Sequence, residues 1–208
     1  MLFTFEHISD RFEFFIKNWF EKIKTYSLEP VCNLYFGTLY NPHIYLEHEF
    51  LSLIQGIESF HQRVFGGKYL SYEDYEPIYD KLINAIPEGV SNDLRERLKG
   101  YLKYGNEFSL RKRLKEIIDN YEKVINEFIK DKKAFIDKVV NTRNYYTHYD
   151  KNLEERAARG TELFDITQKL KLLLEICLLT VVGFSLEEIK DLLSKNTRYR
   201  HLIIDNND

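Results

Sequence analysis

The residues best suited to chemistry lie in one short stretch, residues 140–150. Three polar side chains and three tyrosines share it: Arg143, Asn144, His148, Tyr145, Tyr146 and Tyr149. A guanidinium can bind a phosphate through two donors, an imidazole exchanges its proton near neutral pH, and tyrosine rings can stack on unpaired bases. No other stretch of the chain concentrates these three capacities, so it is the candidate site.

The spacing of these residues limits how they can act together. On an unbroken α-helix Asn144 and His148 share one face, whereas Arg143 and His148 lie about 140° apart. Arg143 and His148 therefore converge on one substrate only if the helix breaks between them or if a second subunit completes the site. Residues 144–149 are mediocre helix formers, which is compatible with a break. An arginine five residues before a histidine is by itself a weak pattern, and such a histidine is often a surface or core residue.

Composition indicates helices in one domain. Among 208 residues there are only nine glycines and four prolines, and the net charge is −3. This charge argues against a protein that coats nucleic acid non-specifically, but it leaves room for a local basic patch. Residues 95–115 form such a patch, with eight Lys or Arg against two Glu. Basic runs are usually solvated helix faces, but Tyr101 and Tyr104 are interleaved here, so Arg111 and Arg113 become candidates for RNA contact.

Several classes of protein are disfavoured. Cys32 and Cys177 are the only cysteines, and so few cysteines indicate a reducing, cytoplasmic setting. Cys177 lies in the most apolar run of the chain, which indicates a buried thiol. No C-x-x-C or H-E-x-x-H spacing is present, so we expect neither a metal site nor a cofactor. Residues 170–184 are interrupted by Lys171 and Glu175 and fall short of the ~20 residues of a membrane span, so they predict a core helix.

The N-terminal part of the chain predicts three helices. Ser9 can cap the first, which runs to about Tyr26, and a short helix is possible over 31–40. Asn41 and a following proline predict the start of a long helix that ends at Gly66-Gly67. Its edge carries Glu58 and His61, three residues apart and able to touch. Either they form a surface ion pair or they support the site.

The remaining helices are marked by caps and apolar periodicity. They are predicted over 71–86, 91–105, 109–130, 134–142, 161–182 and 185–196. The segment 134–142 delivers the chain to Arg143. The last four residues, 205–208, are expected to fray.

The stretch and the long helix together resemble a known family. Arg143-Asn144-x-x-x-His148, at the end of one helix and before an apolar one, resembles the RxxxxH signature of the HEPN superfamily, and residues 46–61 are similar to the first core helix of ApeA-like HEPN domains. The resemblance covers about residues 41–201, with about 1–40 as an N-terminal helical extension of the same single domain. It implies an all-α, up-and-down bundle with additional N-terminal and peripheral helices. ApeA-like proteins usually carry a separate N-terminal domain, which is not found here, so the chain is either an excised domain or a short relative.

The resemblance also implies an activity. HEPN proteins dimerise and cleave RNA without metal, often in phage defence or as toxins. His148 would then be the general base, Arg143 would bind the scissile phosphate, and Asn144 would orient the histidine or bond the RNA. The RNA would be single-stranded or a tRNA-like loop. It would be bound, or the site would be supported, by the three tyrosines and by Glu58, His61, Arg111 and Arg113. Some of the tyrosines could instead be core residues. The alternatives are a non-catalytic helical RNA- or protein-binding module, and a toxin silenced by an antitoxin partner or governed by an N-terminal sensor domain.

Overall fold

The chain folds into helices packed around one core. The computed structural model describes residues 3–41, 43–197, 199 and 202. Its α-helices are α1 (Phe12–Thr25), α2 (Glu29–Tyr40), α3 (Leu46–Val64), α4 (Tyr72–Asn84), α5 (Asn92–Lys103), α6 (Leu110–Asn120), α7 (Glu122–Ile125), α8 (Lys132–His148), α9 (Gly160–Val182) and α10 (Leu186–Lys195). Within the described residues the only β contact is an isolated bridge between Lys68 and Glu107. The all-α prediction is confirmed.

The centre of the bundle is the pair α3 and α9. In α9 the consecutive residues Leu172, Leu173 and Leu174 are all fully buried, so the helix is enclosed on every side. Helix α3 packs against α9 and also against α2, α6 and α8. Gly56 allows the close approach, because a Cβ atom there would lie 3.0 Å from Cδ2 of Leu174. The two helices therefore hold the elements that carry the candidate site.

The two charges that interrupt α9 are buried and paired. Lys171 donates to Glu49 of α3 at 2.7 Å. Glu175 accepts hydrogen bonds from the hydroxyls of Tyr35 and Tyr199. Because each buried charge has partners, the apolar run behaves as the core helix that the sequence predicts.

Serine caps define several helix starts as predicted. The side chains of the serines before α4, α5, α6 and α10 each accept a hydrogen bond from a backbone N–H in the first turn of the helix: Ser71, Ser91, Ser109 and Ser185. Ser185 also forms a capping box with Glu188, in which each side chain accepts from the backbone N–H of the other residue. These side chains satisfy donors that the helix itself leaves free.

Other boundaries differ from the sequence prediction. The single helix expected over 109–130 is two helices, because the chain turns at the buried residue Tyr121, whose hydroxyl meets Thr180 of α9. Helix α3 begins at Leu46, after a cap residue in extended conformation, and not directly after Asn41. Residue 42 and the tail 205–208, for which fraying was predicted, lie outside the described residues.

The N-terminal helix is less buried than its apolar pattern indicates. Ser9 opens a 3-10 turn, and the α-helix begins only at Phe12. Phe15 is buried and stacks on Phe184, but Ile16 and Phe20 are exposed. Only part of the apolar side of this helix therefore faces the core.

Helices α4 and α5 form an antiparallel hairpin that leaves the bundle between α3 and α6. We call residues 68–108 the arm. At its base, the backbone N–H of Phe108 donates to the carbonyl of Gly67 at 2.8 Å. The buried side chain of Asn106 accepts from the N–H of Leu70 and donates to its carbonyl, both at 2.9 Å. The two ends of the arm are thus joined where they meet the core.

Two further properties concern the whole described chain. None of the helices in its described parts has the length and hydropathy needed to cross a membrane. Both cysteines are free and buried, and burial raises the pKa of Cys32 to about 11.

Candidate functional site

The candidate stretch forms the C-terminal part of α8. The helix begins at Lys132, where the side chain of Asp131 accepts a hydrogen bond from the N–H of Ala134. It buries Val139 and Thr142 and continues through Arg143 to His148. The helix is therefore not broken between Arg143 and His148, and of the two alternatives that the spacing left, the break is wrong. Packing of the helix outweighs the weak helix propensity of these residues.

The helix ends one residue after the histidine. Tyr149 has a φ of +50°, in the left-handed region that glycine normally occupies at such a position. Asp150 then caps a short 3-10 turn, because its side chain accepts from the N–H of Asn152 at 2.9 Å. The turn points the following segment back along α8.

Arg143 lies between α8 and α3. One Nη of its guanidinium donates to Oδ1 of Asn144 at 3.2 Å, and the other is 3.9 Å from a carboxylate oxygen of Glu58. About a third of each of the Arg143 and Glu58 side chains is exposed. A guanidinium has five N–H donors, so the partly exposed Arg143 has donors left that can form hydrogen bonds to an anion.

His148 is exposed at the end of α8. Within the described part of the chain its side chain has no hydrogen bond, ion pair or ring contact. The neighbouring Thr147 hydroxyl donates back to the carbonyl of Arg143 at 2.7 Å. Because the helix is continuous, Arg143 and His148 point about 140° apart within one chain. One chain alone therefore does not direct both side chains at the same atom.

The three tyrosines form one cluster with different roles for its members. The ring centroids of Tyr145 and Tyr146 are 5.1 Å apart, and those of Tyr145 and Tyr149 are 5.6 Å apart. Tyr146 packs on Phe50 and donates to the carbonyl of Ala158, and burial raises its pKa. Tyr149 is exposed. Tyr146 is thus a packing residue, whereas Tyr149 offers a free ring face.

Arg159 is a residue of this surface that sequence reasoning missed. Its guanidinium donates to the hydroxyl of Tyr145 at 2.7 Å, lies 5.1 Å from the centre of that ring, and pairs with Glu154. The segment between α8 and α9 is held against α8 by a hydrogen bond from the N–H of Ala158 to the Thr142 hydroxyl. Nothing local in the sequence marks this contact, because it joins residues fourteen positions apart across a loop.

His61 makes its side-chain contacts elsewhere. It is fully buried, donates through Nε2 to Glu116 at 2.8 Å, and accepts from Arg113 through Nδ1 at 3.3 Å. Its ring stacks on Phe65. Burial, assisted by the Arg113 guanidinium, lowers the pKa of His61 despite the hydrogen bond to Glu116, so the ring is neutral at neutral pH.

The residues expected to support the site therefore separate. Glu58 contacts Arg143, whereas His61 and Arg113 are bonded to each other. Arg113 is buried and donates to the carbonyl of Phe108, and Arg111 pairs with Asp137 of α8. Of these candidates, the contacts of the structure bring only Glu58 to Arg143. Across the described residues, no three His, Cys, Asp or Glu side chains form a group that could hold a metal ion.

Comparison with known proteins gives one family. A sequence model described as Apea-like HEPN matches residues 51–188, which is about two thirds of the chain and includes Arg143, Asn144 and His148. No curated protein and no solved structure matches the chain. The family match covers more than half of the sequence, so the chain belongs to the Apea-like HEPN family.

Proposed function

We propose that the chain, as a member of this family, is a metal-independent endoribonuclease that acts as a homodimer. The observation that carries the proposal is that the last turns of one helix hold a partly exposed Arg143, with donors left for an anion, and an exposed His148 that has no side-chain partner among the described residues. Family membership supports a nuclease or defence role. We further propose that the substrate is RNA in single-stranded or tRNA-like loops and that the protein acts in phage defence or as a toxin. An antitoxin partner or a sensor domain would then control it.

The reaction we propose is attack by a ribose 2′-hydroxyl on the adjacent phosphate. His148 takes the proton of the hydroxyl, the 2′-oxygen bonds to phosphorus, and the bond to the 5′-oxygen breaks. The leaving 5′-oxygen receives a proton, so the products are a 2′,3′-cyclic phosphate and a 5′-hydroxyl. Arg143 binds the phosphate oxygens and stabilises the charge that develops on them.

Neighbouring residues would hold these groups and the RNA. Asn144 and Glu58 contact the Arg143 guanidinium and limit its orientation. The exposed ring of Tyr149 and the Arg159 guanidinium lie on the same surface, where they can take an unpaired base and a phosphate.

The site we propose is completed by a second copy. Since α8 is continuous, Arg143 of one copy and His148 of the other must be brought together by a two-fold axis beside the end of α8. Such a site also provides a second histidine that can donate a proton to the leaving oxygen.

The test of the chemistry is cleavage of RNA in the presence of EDTA. We expect wild-type protein to cleave and to leave 2′,3′-cyclic phosphate ends, and His148→Ala to lose roughly 100- to 10,000-fold in rate. Arg143→Ala and Arg143→Lys should both be poor, because an ammonium group cannot make the two-pronged contact. His43→Ala, which removes another exposed histidine, is the control.

Three results would contradict this assignment. Activity lost in EDTA and restored by Mg²⁺ would indicate metal-dependent cleavage. RNA binding without cleavage would favour the non-catalytic binding module. A large loss of melting temperature in His148→Ala would mean that this side chain has a structural role.

The composite site has its own test. Arg143→Ala and His148→Ala proteins are each expected to be inactive, but a mixture that exchanges subunits should recover roughly a quarter of wild-type activity, because half the dimers are mixed and each has one intact site. No recovery, with mixed dimers demonstrated by mass spectrometry, would show that each chain uses its own Arg143 and His148.

A further inference from the structure

Two guanidinium groups lie on opposite flanks of the last turns of α8. The buried Thr142 marks the side of the helix that faces the core. At 100° per residue, Arg143 lies about 100° from Thr142 in one direction and Tyr145 about 60° in the other. Arg143 meets Glu58 of α3 on the first flank. On the second flank the guanidinium carbon of Arg159 lies 5.1 Å from the centre of the Tyr145 ring.

His148 lies nearer to the second flank. About 60° around the helix separate His148 from Tyr145, whereas about 140° separate it from Arg143. Residues three apart on a helix are surface neighbours, with Cβ atoms about 5–6 Å apart. Within one chain, the guanidinium on the same side of α8 as His148 is therefore that of Arg159.

Arg159 is held through a single nitrogen. Its two hydrogen bonds, to the Tyr145 hydroxyl at 2.7 Å and to Glu154 at 2.8 Å, both come from Nη2. The N–H groups of Nε and Nη1 have no partner among the described residues, and they can donate to an anion. The side chains of Arg159 and Glu154 are 48% and 47% exposed, so water weakens their pairing and an anion can compete with it.

The backbone beside Arg159 is anchored to the helix that carries His148. Ala158 is fully buried, and its N–H donates to the Thr142 hydroxyl at 2.9 Å. Its carbonyl accepts from the hydroxyl of Tyr146 at 3.3 Å. Both partners belong to α8, so this helix sets the position of Arg159 relative to His148.

We propose that Arg159 binds the phosphate next to the scissile one and acts beside the His148 of its own chain. A strand of RNA carries a phosphate at every nucleotide, so a strand that brings one phosphate to His148 carries its neighbour along the flank of α8. Each composite site then takes His148 and Arg159 from one copy and Arg143 from the other. Arg159 thereby selects substrates that have a second phosphate.

The inference rests on the proposed function for the role of His148, but RNA binding tests Arg159 separately. Loss of binding in Arg159→Ala by a protein that cleaves no RNA would count against the nuclease and not against the phosphate contact. Unchanged binding in a protein that does cleave would count against Arg159 alone.

The first test measures binding to single-stranded RNA that is 2′-O-methylated at every ribose and so lacks the attacking hydroxyl. By fluorescence anisotropy, Arg159→Ala should bind roughly 10- to 100-fold more weakly than wild type, because a charged hydrogen-bonded contact is lost. The slope of log affinity against log salt concentration should become shallower by about 0.7.

The matched control for this test is Arg156→Ala. Arg156 is an exposed arginine of the same loop, and its side chain has no partner among the described residues. Both the affinity and the salt slope should stay near the wild-type values. Equal losses in Arg156→Ala and Arg159→Ala would show a general effect of charge and overturn the proposal. If Arg159→Ala does not fold, Arg159→Lys replaces it, because an ammonium group keeps the charge without the planar contacts.

The second test changes binding in the opposite direction. Glu154→Gln removes the carboxylate that competes for Arg159, so we expect the same RNA to bind roughly 1.5- to 5-fold more tightly. Glu155→Gln removes the same charge from the next residue, which is also exposed, and should have a smaller effect. Equal gains in the two variants would contradict a specific role for the pair of Glu154 with Arg159.

The third test varies the number of phosphates in a cleavable substrate. A dinucleoside monophosphate contains the scissile phosphate alone, and a terminal phosphate added to it supplies the second. Arg159→Ala should raise KM for the longer substrate with little change in kcat, and should cleave the shorter one like the wild type. Equal losses of kcat/KM on both substrates would contradict a contact to the neighbouring phosphate.

Mixed dimers show which copy supplies Arg159. Arg159→Ala mixed with Arg143→Ala should recover roughly a quarter of wild-type activity on the longer substrate, because each mixed dimer has one site with all three residues intact. Arg159→Ala mixed with His148→Ala should give no more than the residual activity of Arg159→Ala. Recovery in the second mixture and not in the first would place Arg159 beside the His148 of the other copy and overturn the assignment.

Discussion

The α3–α9 pair and the arm are both helical, but the apolar side chains of the pair are buried and several of those of the arm are exposed. In the pair, leucines, a close-packed glycine and even two charged residues are enclosed by neighbouring helices. In the arm, Leu82 and Leu94 remain 44% and 48% exposed. The difference teaches that periodicity predicts that a segment is a helix, whereas the number of neighbours decides how much of the helix is covered.

Ion pairs in the two regions also differ in burial. Lys171 and Glu49 are paired in the interior, where an unpaired charge would be costly. Pairs on the arm, such as Lys99 with Glu96, are exposed to water and contribute little. Equal ion pairs should therefore have very unequal effects on stability.

The largest expected effect follows from that contrast. Lys171→Ala leaves the carboxylate of Glu49 buried without its partner, and we expect the free energy of unfolding to fall by about 3–5 kcal/mol. Lys99→Ala on the arm, the control, should change it by less than about 1 kcal/mol. Urea denaturation measures both. Similar small values for the two variants would remove the distinction between the regions.

A smaller effect is expected at the joint between the two regions, where His61 and Arg113 lie beneath the base of the arm. The pKa of His61 is lowered from its ordinary value of 6.5 when the protein folds, so the unfolded chain binds the proton more tightly. The stability from a neutral His61 is complete above pH 6.5 and is lost as the pH falls below it.

The measurement is the free energy of unfolding between pH 7.5 and pH 5.5, with His61→Gln beside the wild type. Glutamine can offer one donor and one acceptor but does not titrate, so the wild type should lose more stability over this range. His7→Gln is the control, at an exposed histidine. Parallel curves for wild type and His61→Gln would show that the ring does not couple folding to pH.

The smallest effect is expected from removing the arm itself. Joining Leu70 to Gly105 through an Asn-Gly turn deletes α4 and α5 but keeps the bonds at the base. Since the deleted helices bury no residue, the bundle should unfold cooperatively with a stability within about 1 kcal/mol of the wild type. Loss of the cooperative transition would show instead that the arm is part of the core.

The sequence predicts the local features of this fold well. Ser71, Ser91, Ser109 and Ser185 identify helix starts, because a capping hydroxyl acts within three residues of itself. Cys177 and its apolar surroundings identify the core helix. The family and its all-helical architecture could likewise be predicted, since the motif and its flanking helices are local patterns.

Features that depend on distant contacts could not be predicted. The turn at Tyr121 has no glycine or proline to mark it, and arises where the tyrosine meets α9. Arg113 counts as part of a basic patch in the sequence, but it is buried beside His61. For the candidate site, the stretch around Arg143 is a prediction from residue types and spacing, and a supporting role for Glu58 was one of two alternatives, of which the structure shows the contact with Arg143. The roles of Arg143, Asn144 and His148 stay predictions until cleavage is measured.

The hydrogen bonds of Asn106 have a consequence for chain entropy. They join the two ends of the arm, because the side-chain amide binds both the N–H and the carbonyl of Leu70. The backbone hydrogen bond from Phe108 to Gly67 joins the same two ends. Once the ends are joined, doubling the length of the excursion costs only about 0.6 kcal/mol of loop closure. The bundle can therefore accept a shorter or longer arm at almost constant stability, so the reach of the arm can change while the residues around Arg143 stay where they are.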